Sequence, residues 1–120
     1  MSTATTFDLA TFTRAIEERD ASAQLALYSD GASVTLVDRN AQPGAPRVLR
    51  DKGEIAVWVQ DVCARDMTHS VGHTVSDATG VAFTEACRYP DGTNVLCATV
   101  LELEDGLIVR QIGVQAWDEA

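Results

Sequence analysis

The sequence predicts one α+β domain, with helices gathered on one face of a curved antiparallel sheet. Three observations predict it. Apolar residues recur at helical spacing through much of the first half, four strand-like runs occupy the second half, and turn sequences rich in Asp and Gly separate those runs. At 120 residues the chain is long enough for one domain with a real core and too short for two.

Residues 1–7 read as a flexible, largely polar tail and residues 8–118 as the domain. From Asp8 onward Leu9, Phe12, Ile16, Leu25, Leu27 and Tyr28 recur at helical spacing, with Arg14, Glu17, Glu18 and Arg19 between them. This pattern predicts two helices broken near Asp20, which with Ser22 can cap the second, and Asp30-Gly31 ends that helix. Ala32 to Val37 is β-branched and apolar enough for a strand, and Asn40 to Pro46 is a loop containing Pro43, Gly44 and Pro46. Arg47 to Leu49 reads as a short strand. Lys52-Gly53 is a turn, and Glu54 opens a helix through Ile55, Val57, Trp58, Val62 and Cys63. Beyond Asp66 the pattern is β: Met67 to Ser76, Val81 to Tyr89, Asn94 to Glu104 and Leu107 to Trp117. Gly80, Asp91-Gly92 and Asp105-Gly106 lie in the gaps, where glycine accepts the positive φ of a tight turn, so the runs form an antiparallel meander.

The 18 acidic against 9 basic residues leave a formal charge of −9, which repels phosphate backbones and anionic lipid. Nucleic acid and membrane are therefore excluded as expected partners. No basic segment followed by an apolar stretch opens the chain and no run of apolar residues is long enough to span a bilayer, so a cytoplasmic location is expected. Cys63, Cys87 and Cys97 lack the close spacing of a zinc or redox motif and read as reduced, packed thiols.

Chemistry is suggested by one residue. In Val81 to Tyr89 the odd positions are large and mostly apolar, so alternation points Glu85 where Val81, Phe83 and Cys87 point. A carboxylate on such a face is costly unless it is paired or meets a wet cavity. If Val75 opposes Val81, the pairs run His73 with Phe83, Val71 with Glu85 and His69 with Cys87. Both histidines are then diagonal to Glu85, roughly 6–8 Å away. Thr99 or Cys97 faces Glu85 from the next strand. His69, His73, Glu85 and Thr99 thus form a polar spot on an apolar face, with Glu85 either a general acid or base or a structural carboxylate satisfied by His69, His73 or Arg110. No metal is expected, because the Cα atoms of His69 and His73 are about 13 Å apart along a strand. No cofactor is expected either. Phe12, Tyr28, Trp58 and Phe83 read as core or pocket wall. Trp117, opposite in parity to Ile108 and Ile112, joins Val100 and Leu96 on an outer sheet face apolar enough to be an interface.

Four motifs, Ala15-Ile16-Glu17-Glu18-Arg19-Asp20, Leu27-Tyr28-Ser29-Asp30-Gly31-Ala32, Lys52-Gly53-Glu54-Ile55 and Asp105-Gly106-Leu107-Ile108, carry a resemblance that covers Asp8 to Asp118. The chain resembles the nuclear transport factor 2-like superfamily and, within it, the SnoaL-like group that includes polyketide cyclases and ketosteroid isomerase. The resemblance implies a cone-shaped, cystatin-like α+β barrel with about three helices on the concave face. It also implies a pocket for a small apolar molecule and a homodimer formed through the outer sheet face. The general base of the isomerase-like members matches Leu36 here, with Asp38 two residues on and facing the same way. A second acid found in many members matches Ala116, with Asp118 two residues beyond. Two functions are therefore expected as alternatives: a cofactor-independent acid–base enzyme of the isomerase, cyclase or hydratase type, or a ligand-binding or dimerisation domain without turnover.

Overall fold

Three aspartates start the three helices. In the computed structural model, which describes residues 6–119, α1 (Leu9–Glu18), α2 (Ala21–Leu25) and α3 (Lys52–Ala64) follow Asp8, Asp20 and Asp51. Each carboxylate accepts a first-turn backbone N–H, from Thr11, Ala23 and Glu54 at 3.0, 3.1 and 2.9 Å. Glu54 reaches back to accept from the Arg50 N–H at 2.9 Å, which ties α3 to the preceding chain. Arg19 ends α1 in the left-handed region, at φ 57°, and so turns the chain into α2.

The strands are β1 (Tyr28–Val37), β2 (Arg47–Leu49), β3 (Thr68–Ser76), β4 (Gly80–Arg88), β5 (Asn94–Glu104) and β6 (Leu107–Trp117), in one sheet of order β2-β1-β6-β5-β4-β3. The last four form the expected meander. Asp77 makes the β3–β4 turn by accepting from the Thr79 and Gly80 backbone N–H groups at 2.7 and 2.9 Å, and those bonds hold its carboxyl below the usual range. Asp105 and Gly106 both take positive φ, 52° and 76°, to close the β5–β6 hairpin. β1 runs parallel to β6, so the sheet is mixed rather than wholly antiparallel, and it stays open between the edge strands β2 and β3. Glu17 of α1 accepts the Val71 N–H of edge strand β3 at 3.0 Å and holds the helix over that end of the sheet.

The second helix is shorter than expected. It stops at Leu25, and Tyr28 is already in β1, where Leu27 O accepts the Ile108 N–H at 2.8 Å. Asp30-Gly31 therefore lies inside the strand, at a slip in its pairing with β6 between Tyr28 and Ser33. Two further irregularities change which side chains face inward. Val71 pairs with Glu85 and His69 with Cys87, but Thr74 rather than His73 pairs with Phe83, because β3 carries an extra residue after Val71. On β6, Leu103 pairs with Ile108 and Glu102 with Arg110, so Val109 is the extra residue. One extra residue reverses every later facing. Gln111, Gly113 and Trp117 consequently turn inward, and Ile112 and Val114 turn out. Trp117 is thus not on the outer face.

The main core joins Phe12 and Ile16 of α1, Ile55 and Val59 of α3, and strand residues such as Val34, Leu101 and Ile108. Phe7, placed in the tail by sequence, packs on Phe12 with ring centroids 5.6 Å apart; residues 1–5 of that tail lie outside the described residues. A second cluster of Met67, Cys87, Val95 and Cys97, covered by Tyr89 and Trp117, occupies the other end of the inner sheet face. No helix among the described residues is long and apolar enough to cross a membrane.

Candidate functional site

Between the helices and the inner sheet face is a cavity of about 90 Å3. Phe12 and Ile16 of α1, Trp58, Val59 and Val62 of α3, Leu36 of β1 and Phe83 of β4 supply its apolar wall. Most of its polar groups come from four adjacent strands, His69 on β3, Glu85 and Cys87 on β4, Cys97 and Thr99 on β5, Gln111 and Gln115 on β6, and the helical side adds Gln24 of α2 and Arg65 at the end of α3. Glu85 is the sole carboxylate among the described residues that line it.

The Glu85 side chain is 15% exposed and that of His69 is 4% exposed. Their contact follows from the register: Glu85 pairs with Val71, and His69, two residues from Val71 on the same face, reaches Glu85 diagonally. His69 Nδ1 lies 2.8 Å from Glu85 Oε2, and the Cys87 thiol donates to the same oxygen at 3.0 Å. An ionised carboxylate only accepts, so the proton of the first pair sits on Nδ1. Nδ1 is also 3.2 Å from Cys87 Sγ, so one ring nitrogen meets both partners. A Cys-His-Glu relay instead uses the two ring nitrogens separately, one for the nucleophile and one for the acid. The neighbouring Cys97 thiol, burial and the Glu85 carboxylate all push the Cys87 thiol up from its ordinary value, which keeps it protonated at neutral pH. Cys87 is therefore a donor to Glu85 rather than a nucleophile.

Tyr89 and Trp117 stack with centroids 5.6 Å apart, and Arg65 donates to the Tyr89 hydroxyl at 3.0 Å. Both rings line the cavity and also an outer basin that carries Asp38, Arg39 and Asp118. Arg39 sits over the Trp117 ring at 4.0 Å and caps the stack from the basin side.

Of the residues singled out by sequence, Glu85, His69, Phe12, Trp58, Phe83 and Thr99 meet at this cavity. His73 does not: the β3 bulge leaves it exposed, with its backbone N–H bonded to Thr84 Oγ1 at 3.2 Å. Asp38 is in the outer basin and accepts the Asn40 N–H at 2.7 Å as a turn carboxylate. Asp118 accepts from the Asn94 N–H at 2.8 Å and joins strand ends. Tyr28 is buried outside the lining and meets it through Gln111, whose side-chain oxygen accepts a hydrogen bond from its hydroxyl. Ala116, matched to the family's second acid, is on the outer face, and Gln115 takes the inward position beside it. Sequence reasoning missed Gln111, Gly113, Gln115 and Trp117, whose signal is an alternation of polar and apolar residues that becomes readable only once Val109 is known to be a bulge.

Residues 9–111 match the family model described as the SnoaL-like domain. Among solved structures, a Mesorhizobium loti protein described as NTF2-like and of unknown function has a TM-score of 0.80 at 12% identity, over 90% of this chain and 87% of its own. A proposed ketosteroid isomerase from Kribbella flavida has a TM-score of 0.74 at 18% identity, over 92% of this chain and 75% of its own. An LEH-like epoxide hydrolase of M. tuberculosis has a TM-score of 0.65 at 15% identity, over 90% of this chain and 79% of its own. At such identities the likeness is one of fold. No curated protein matches the sequence. Six strands in this order, three helices over one face and a family match spanning most of the domain lead to one conclusion: the chain belongs to the SnoaL-like domain family.

Proposed function

We propose that the cavity binds a small, largely apolar molecule and that Glu85 exchanges a proton with it, in a cofactor-independent reaction of the isomerase, cyclase or hydratase type. The observation that carries this reading is a single carboxylate in a largely apolar cavity wall, where Arg65, held by Asp61 and Tyr89, is the one Lys or Arg among the described lining residues. His69 and Cys87 both bind Oε2, and among the described residues nothing bonds to Oε1, which leaves that oxygen to meet a substrate proton. Thr99, Gln111 and Gln115 offer hydrogen bonds to a carbonyl or hydroxyl on the same molecule. The isomerase and epoxide hydrolase descriptions of two structural neighbours accord with such chemistry.

Leu36 favours a second reading, binding without turnover, because the position matched to the isomerase base carries no acid. The two readings separate in one experiment. Small cyclic ketones are incubated in deuterated buffer with a chelator, and exchange of their α-protons is followed by NMR with wild type and Glu85→Gln. General acid–base catalysis supplies about 10²–10⁴-fold, so the variant is expected to lose at least about tenfold of the exchange rate. Binding with no exchange above the variant's would support the second reading.

The proposal includes a homodimer. Leu96, Val100, Ile112 and Val114 are 57%, 51%, 45% and 48% exposed on neighbouring strands of the outer face, and Ala82, Ala86, Ala98 and Ala116 extend the patch. A second copy covers this surface.

A further inference from the structure

We infer that His69, Glu85 and Cys87 form a binding site for a thiophilic divalent cation of the zinc class. They supply an imidazole nitrogen, a carboxylate oxygen and a sulfur whose donor atoms all lie within 4.8 Å of one another. The pairwise distances are 2.8, 3.0 and 3.2 Å. Zinc bonds of about 2.0–2.3 Å arranged tetrahedrally separate donors by about 3.3–3.7 Å. The observed triangle needs to widen by only about half an ångström to reach that spacing.

The three residues sit on paired strands, with His69 opposite Cys87 and Glu85 two residues along on the same inward face, so the sheet preorganises them. Nδ1 facing both the carboxylate and the thiol makes a poor proton relay, yet convergence of three donors on one point is what a cation requires. Cys97, opposite Glu85 on β5, adds a second sulfur beside Cys87.

On binding, the Cys87 thiol gives its proton to solvent and the His69 proton moves from Nδ1 to Nε2. Glu85 binds as its carboxylate and, ionised, gives up no further proton. One proton is released for each ion, no electron is transferred, and carboxylate plus thiolate neutralise the divalent charge in a partly buried site. This inference uses the same cavity as the acid–base reading but does not rest on it. An ion held by Glu85 removes that carboxylate from proton transfer, so zinc is expected to suppress ketone exchange and a chelator to restore it.

The test is a Co2+ titration of the reduced, metal-stripped full chain, read by the thiolate-to-cobalt charge-transfer band and followed by displacement with Zn2+. The expected result is one ion per chain, a band absent from Cys87→Ser and retained in Cys63→Ser, and affinity at least about tenfold weaker in His69→Gln and Glu85→Gln. Circular dichroism monitors folding, and if Cys87→Ser does not fold, the affinities of the other two variants decide. No thiolate band, a band that survives Cys87→Ser, or affinity unchanged in His69→Gln and Glu85→Gln would overturn the inference. Ketone exchange without cobalt binding sinks only the metal site, and cobalt binding without exchange sinks only the acid–base reading.

Discussion

Replacing Glu85 by Gln separates a carboxylate kept for chemistry from one kept for stability. The side chain accepts two hydrogen bonds, from His69 and Cys87. A bond to a charged group contributes about 1.5–3 kcal/mol and one to a neutral group about 0.5–1.5 kcal/mol, so the amide forfeits roughly 2–3 kcal/mol over the pair. Against this stands the desolvation of a carboxylate with only 15% of its side chain exposed. Burying an ion costs several kcal/mol even after relaxation, and the neutral amide escapes most of that penalty. The two effects nearly cancel, and Glu85→Gln is expected to lie within about 1 kcal/mol of wild type, or about 5 °C in Tm. Urea unfolding at neutral pH, with the m-value confirmed unchanged, measures it. A loss above about 3 kcal/mol would mean that the pairing outweighs burial and that Glu85 is a structural carboxylate, which refutes the reasoning.

If the outer face joins two copies, Val100→Glu and Ile112→Lys should each yield a folded monomer by light scattering; a wild type that is already monomeric at high concentration would refute the interface. Raised Cys87 and Tyr28 groups imply alkaline sensitivity. Cys87 is raised first by Cys97 and Tyr28 first by burial, so the folded state keeps protons that the unfolded chain loses above the ordinary values of 9.0 and 10.0. Their contribution is complete below those values and declines as pH rises through and beyond them, so unfolding free energy should fall from about pH 9 upward, less steeply in Cys87→Ala. At neutral pH Cys87 should react with iodoacetamide far more slowly than any thiol of the urea-unfolded chain, and equal rates would contradict the shielded thiol. A Cβ at Gly113 would sit 3.3 Å from Leu36 Cδ2 and 3.8 Å from Thr99 Oγ1, so Gly113→Val should leave the fold intact while reducing ligand affinity at least about tenfold by calorimetry.

Much of the fold is legible because its signals are local. Asp20 caps α2, Asp105-Gly106 takes the positive φ of its hairpin, and, apart from the start of β1 at Tyr28 instead of Ala32, the strand limits fall within a residue of those expected. The Glu85–His69 contact is reached through a compensation: Val81 pairs with Ser76 rather than with the expected Val75, and the extra residue after Val71 brings the register back to Val71–Glu85 and His69–Cys87. His73 escaped because the bulge after Val71 lies between it and Phe83. At the bulge Thr84 Oγ1 accepts the His73 N–H, and a Cβ at Gly72 would come within 2.8 Å of that oxygen. Leu25, Leu27 and Tyr28 fit a helical face. Pairing with Ile108, far along the chain, draws Tyr28 into the sheet instead.

The β6 strand shows why a correct period can still assign the wrong face. From Gln111 to Val114 the alternation is regular, and the usual rule would bury Ile112 and Val114 and expose Gln111. The bulge at Val109 does the reverse. Gln111 is 5% exposed and lines the cavity, whereas Ile112 and Val114 are nearly half exposed outside. A strand stable in this orientation needs polar work for its inner face and a cover for its outer face. The cavity supplies the first through Tyr28, which donates to Gln111, and through whatever ligand meets Gln115. In the proposed dimer a second copy on Ile112 and Val114 would supply the other. Pocket and interface are thus opposite sides of one strand, and the two proposals make a joint demand: a substitution that straightens the bulge, such as deletion of Val109, should abolish ligand binding and dimerisation together. Loss of one without the other, in a folded variant, would show that the inverted strand is not what links them.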